Sequence, residues 1–77
     1  MDAEVMRLGA AAKQLLDDET VMEALEHIRQ RHIKMMTARM SDDAGVMKAR
    51  GAILAIGELI DELNGMVADG EFEKRKQ

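Results

Sequence analysis

Cysteine, proline, tryptophan and tyrosine are all missing from this 77-residue sequence, and Phe72 is its only aromatic residue. Without cysteine there is no disulfide framework, no thiolate nucleophile and no cysteine-containing zinc site, so nothing ties the chain to an oxidising compartment, and a cytoplasmic setting is the expectation. Long apolar runs are missing too. The longest uncharged apolar stretch, Gly51 to Gly57, is seven residues, whereas a membrane span needs about 20; no transmembrane helix and no membrane partner are expected. Asp2 and Glu4 stand where a secretory signal carries basic residues, which argues against secretion. The six glycines are scattered singly, so no glycine-rich phosphate loop is present. Positive charge is in deficit, with Lys+Arg 11 against Asp+Glu 15 and a formal charge of −4. Nucleic acid is therefore not expected as the main partner, because nonspecific binding depends on neutralising several phosphates with a basic surface.

What remains is one small domain, residues 1–70 with a charged tail at 71–77, rich in Ala, Leu, Met, Glu, Lys and Arg and free of sustained period-two alternation. That composition favours an all-α fold. Three helices are predicted. The first runs from about Asp2 to Leu16, with Val5, Leu8, Ala12 and Leu15 on one face and Gly9 as a weak point. Asp17 or Asp18 then caps a second helix reaching about Met40. Its apolar face is Val21, Leu25, Ile28 and Met36, with Met22, Ile33 and Met40 at the edges. Ser41-Asp42-Asp43 supplies a capping hydroxyl and first-turn carboxylates for a third helix ending at Asp69-Gly70. That helix carries Val46, Ala49, Ile53, Ile56, Ile60, Leu63 and Val67 at unbroken three-four spacing, the seam of a coiled coil. Ala52, Leu59 and Met66 widen the seam on one side.

A connection of one or two residues between the second and third helices makes them an antiparallel helical hairpin, with the N-terminal helix as a short addition. The register sets Met36 near Val46, Ile28 near Ile53, Leu25 near Ile56 and Val21 near Ile60. Helices of roughly 24 to 28 residues give a rod of about 35 to 40 Å. So small a chain has little interior. Met47 and Leu54, beside Gly51 and Ala55, form a second apolar strip nearly opposite the seam, and it points to homo-oligomerisation through helix packing. The turn end collects Arg29, Arg31, Lys34, Arg39, Lys48 and Arg50; Lys34, Arg39, Lys48 and Arg50 form a candidate basic patch. The far end is expected to hold Asp17, Asp18, Glu19, Glu23, Glu26, Glu58, Asp61, Glu62 and Asp69. Such polarity complements the helix macrodipoles, and opposite charges also suit end-to-end association.

Chemistry has few candidates. His32 lies in the apolar stripe of the second helix, where a core or interface histidine with one satisfied hydrogen bond is expected. His27 points about 140° away from it around the helix, so the two imidazoles cannot share a metal. Glu23 and His27 are one turn apart and offer two zinc ligands at most, fewer than a complete set. Thr20 and Ser41 sit where helix caps are needed, and with Thr37 they exhaust the hydroxyls, so no catalytic triad is visible. No enzyme activity, cofactor or metal is expected. Eight methionines suit a core that lacks aromatics.

From Val21 onward the runs VMEALEHIRQRHIKMM and SDDAGVMKARGAILAIGELIDELNGMVADGEFEKRK resemble small helical proteins encoded among the head-assembly and DNA-packaging genes of tailed bacteriophages and prophages. The shared features are an acidic entry, an ALxxI-like element, a polar turn, a long Leu-rich second arm and a Gly-containing stop. The resemblance covers about three quarters of the chain and carries no catalytic residues. It implies an assembly role, as an oligomeric accessory, connector or packaging component in the bacterial cytoplasm or the virion, with phage structural or packaging proteins as further partners. The rival expectation is a small regulatory or packaging factor that touches nucleic acid through the basic turn end.

Overall fold

A computed structural model describes residues 2–38 and 42–76, and within them the chain is all-α. The helices are α1 (Ala3–Asp17), α2 (Glu19–Thr37) and α3 (Asp43–Arg75). Each begins on an aspartate whose carboxylate takes up amides that the first helical turn leaves free. Asp2 accepts from the N–H groups of Glu4 and Val5, Asp18 from those of Thr20 and Val21, and Asp42 from that of Gly45 at 2.7 Å. Of the two aspartates offered for the second cap, Asp18 is the one in place. Ser41, the expected capping hydroxyl of the third helix, lies outside the described residues, as do Arg39 and Met40. α2 closes at Thr37, whose hydroxyl donates to the carbonyls of Ile33 and Lys34.

The helix stop expected at Asp69-Gly70 does not occur, and 71–75 are helix instead of tail. Gly70 keeps ordinary helical geometry, with no positive φ at any described glycine. Its lack of a side chain serves contact instead of termination. A Cβ on Gly70 would lie 3.1 Å from the Cα of Gly9 and 3.4 Å from the carbonyl oxygen of Val5; one on Gly9 would lie 2.8 Å from the carbonyl oxygen of Met66. The two glycines therefore let α1 and α3 meet backbone to backbone. One turn further on, the Asp2 amide donates to Glu73 at 3.2 Å and Lys76 bonds the same carboxylate. Glu73 is thus held below the usual carboxylate range, first by the Asp2 amide and then by Lys76. These contacts set α1 antiparallel along the C-terminal part of α3.

Both α1 and α2 pack on α3, α1 the more extensively, and they follow one another along it with only Asp18 between them. The molecule measures 57 × 22 × 14 Å. A helix with side chains is about 10–12 Å across, so the body is two helices wide and one helix thick. The rod exceeds the expected 35 to 40 Å because α3 has 33 residues, about 50 Å of helix.

Along the α3 seam Ala49 and Leu63 are buried, and Val46, Ile53, Ile56, Ile60 and Val67 are half-buried. Val21, Leu25, Ile28 and Met36 of α2 are half-buried as well. On α1 the inward face is Val5, Gly9, Ala12 and Leu16, not Val5, Leu8, Ala12 and Leu15. Leu8 and Leu15 are displaced to the rim because the α1–α3 approach is centred on Gly9, where a larger residue does not fit.

Gly9→Ala should destabilise the fold by about 1 kcal/mol, as overpacking against the Met66 carbonyl outweighs the better helix propensity of alanine. Gly57, which has nothing within 4 Å of the position a Cβ would take, should show the opposite sign: Gly57→Ala gains about 0.5–1 kcal/mol. Urea unfolding of both variants at one protein concentration measures this, and equal signs would show that the glycine contact is misplaced. Leu63 is the best-buried large side chain, at 9% exposure; Leu63→Ala should cost about 2–4 kcal/mol in the same assay.

Candidate interaction surface

The seam of α3 alternates three and four residues, so its positions can be written as a heptad with Val46, Ile53, Ile60 and Val67 at a and Ala49, Ile56, Leu63 and Gly70 at d. The columns beside the seam then differ in character. At g stand Ala52, Leu59 and Met66; at e stand Arg50, Gly57, Asn64 and Glu71. On α1, Val5 and Ala12 take d, Gly9 and Leu16 take a, and Leu8 and Leu15 fall at g, with Met6 and Lys13 at e. In an antiparallel pair the two g columns lie on the same side. A shallow depression lined by Val5, Leu8, Met66 and Asp69 shows that they do so here.

One broad face of the α1–α3 half therefore carries Leu8, Leu15, Leu59 and Met66 together. Leu15 and Leu59 are 45% and 46% exposed. The opposite face is a groove of about 500 Å³ whose walls include the apolar Ala3, Met6, Ala10 and Val67 and the charged Arg7, Lys13, Asp17, Glu71 and Lys74. Both sides of the layer thus mix apolar and charged residues, with Asp69 beside Leu8 and Met66 on the first.

The strip expected at Met47 and Leu54 is on the back of α3, and both residues are exposed, at 74% and 60%. Phe72 extends the same side, since it is 18 residues from Leu54 and 18 residues is five turns. Its ring lies 4.8 Å from the Lys76 ammonium, a cation–π contact. Between Leu54 and Phe72 the strip is interrupted by Glu58 and Asp61.

Charge is not distributed as the sequence reading expected. Asp17, Asp18 and Glu19 fall at the junction of α1 and α2, and Glu58, Asp61 and Glu62 fall near the middle of α3, so the carboxylates gather at mid-rod instead of at an end. The reason is that α1 continues the rod beyond that point. Of the candidate basic patch, Lys34, Lys48 and Arg50 are exposed, and Arg39 lies outside the described residues. Lys48 and Arg50 are two residues apart on a helix and so diverge by about 160°; they share an end of the rod but not a face.

His32 is half-buried in the α2 stripe, and its Nδ1 is buried with no hydrogen-bond partner among the described residues. His27 and Glu23 are exposed. Among the described residues no group of three or more His, Cys, Asp or Glu side chains is placed to hold a metal ion. No described helix is long and apolar enough to cross a membrane. Comparison with protein-family models, curated proteins and solved structures gives no match.

Surface ion pairs reinforce individual helices. Glu26 accepts from both Arg29 and Gln30, and these hydrogen bonds, Arg29 first, pull its carboxyl down to about 2. Glu4 is lowered by Arg7 in the same way. A carboxyl depressed in the folded state stabilises the fold above its unfolded value and loses that contribution as pH falls through the folded value. For Glu26 the window runs from about 4.5 down to about 2. Far-ultraviolet circular dichroism should therefore show helicity declining on acidification through this window. Glu26→Gln should flatten part of the decline at low salt and less at high salt, where exposed pairs are screened. A titration identical to the parent's would show that the pairing does not persist in solution.

Proposed function

We propose that this chain is a non-enzymatic helical interaction protein that self-associates through helix packing. In this reading α2 and α3 act as an antiparallel hairpin stiffened by α1, and the role is that of an accessory, connector or packaging component in phage particle assembly. One observation supports it above the others. The accessible surface is 6067 Å², whereas a compact monomer of 8.6 kDa has about 4,700 Å². The radius of gyration agrees, at 16.6 Å against about 11.5 Å for a globular chain of this length. Among the described residues the small Ala49 is fully buried, and the best-buried large side chain, Leu63, keeps 9% exposure. The chain thus keeps exposed a quantity of surface that compact monomers bury, and Leu15, Leu54, Leu59, Met35 and Met47 are among its exposed residues.

The rival reading, a factor contacting nucleic acid through the turn end, draws less support, because Lys48 and Arg50 point to different sides. The phage setting rests on the sequence resemblance alone.

Light scattering coupled to size-exclusion chromatography at high micromolar concentration tests the proposal. The expected mass is a multiple of 8.6 kDa, and a strictly monomeric protein sinks it.

A further inference from the structure

We propose that His32 is a pH-operated catch within the chain: taking up a proton at its buried Nδ1 releases α2 from α3 while α1 stays docked. The device works in a single copy and does not depend on self-association.

Two features of the site carry it. The first is the ring itself. Nδ1 of His32 is shut off from solvent and has no hydrogen-bond partner among the described residues. A neutral imidazole tolerates this, because one of its nitrogens carries no hydrogen and can be the one enclosed, with the hydrogen on Nε2. An imidazolium does not, because both nitrogens are then donors, and a buried donor without an acceptor has lost its bond to water with no replacement. The second is the charge around the ring. α2 packs on α3 and only residues 38–42 join them, so the part of α3 beside His32 is its beginning. Across 27–37 of α2 the other charged side chains are Arg29, Arg31 and Lys34, and across 44–57 of α3 they are Lys48 and Arg50. Neither stretch contains a carboxylate. The acids at their margins are Glu26, already bonded to Arg29 and Gln30, then Glu58, and Asp42 and Asp43 at the start of α3, of which Asp42 caps the Gly45 amide. α1, docked along the C-terminal part of α3, adds no charge here. A ring turned over, so that carbon took the enclosed place, would still set its positive charge among cations.

α2 is the helix that such a change frees. It has no buried residue, whereas α1 has Gly9 and Ala12 buried and is tied to α3 by the Gly9–Gly70 approach and by the Asp2 amide on Glu73. Once α2 lifts, water reaches Nδ1, and the opened form takes up a proton at the ordinary imidazole value of about 6.5. The closed form is therefore favoured above that value and loses ground as pH falls through it. The paired carboxylates act at lower pH, since Glu4, Glu26 and Glu73 are all held below their ordinary value of 4.5. His27 and His32 are the two side chains whose ordinary range lies in the window, and His27 is exposed.

Amide hydrogen exchange, corrected for the intrinsic effect of pH and run at one protein concentration, tests the catch. From about pH 7.5 to about pH 5.5 the opening equilibrium of the α2 amides should rise by about tenfold, with the α1 amides remaining the better protected. His32→Leu and His32→Gln, which cannot take up a proton, should both remove the rise, and His27→Gln should leave it in place. Nitrogen NMR of the imidazole rings in the parent makes the test independent of any variant: His32 should gain its proton in step with the loss of α2 protection, and His27 without it. The proposal is overturned by α2 amides that show no rise or are as well protected as those of α1. A rise that survives either His32 substitution, or an imidazolium at His32 while α2 keeps its protection, overturns it equally.

Discussion

Two helices lying side by side can shield only the stripe where they touch, and this constraint governs the rest of the structure. In a body one helix thick a seam residue has a neighbour across from it but none above or below. That is why Ile53, Ile56 and Ile60, at the centre of an uninterrupted apolar seam, remain half-buried, and why, among the described residues, burial is reserved for positions where the residue is small, Ala12, Ala49, Gly9 and Gly70, or well placed, Leu63. Close approach compensates for the missing layer. At Gly9 and Gly70 the two backbones come together, which brings the flanking side chains of both helices onto common faces.

Local stabilisation is correspondingly important. Three aspartates cap the three helices, and i,i+3 ion pairs at Glu4–Arg7, Glu26–Arg29 and Glu73–Lys76 lie along their surfaces. Caps contribute about 1 kcal/mol each and exposed pairs only tenths. None of these interactions depends on a second copy, so the helices have support of their own, while the missing part of the core is a matter of tertiary packing. The orphaned Nδ1 of His32 belongs to the same thin interior, where a polar atom is covered by described neighbours that offer it no hydrogen-bond partner.

The helices and the α3 seam were legible because their signals are local: an aspartate before an apolar repeat, and three-four spacing sustained from Val46 to Val67. Two features were not. Gly70 after Asp69 reads as a helix stop, since glycine favours the left-handed conformation at such ends, and only the presence of Gly9 on the opposing helix explains why the helix passes through it. The displacement of Leu8 and Leu15 to the rim has the same cause. Both depend on which helix faces which, a nonlocal fact that spacing within one helix does not contain. The signal that points to it is the shared column: Leu8 and Leu15 repeat at seven residues, as do Leu59 and Met66, and both pairs fall beside the seam on the same side.

The proposed self-association would make stability a property of concentration. For a protein folded as a dimer, mass action raises the unfolding midpoint as protein is added, whereas a monomer's midpoint is fixed. The thermal midpoint measured across a hundredfold range of protein concentration is therefore the most direct test. The account predicts a midpoint that climbs steadily over that range; a midpoint that stays constant, at concentrations where the chain is folded, would contradict it.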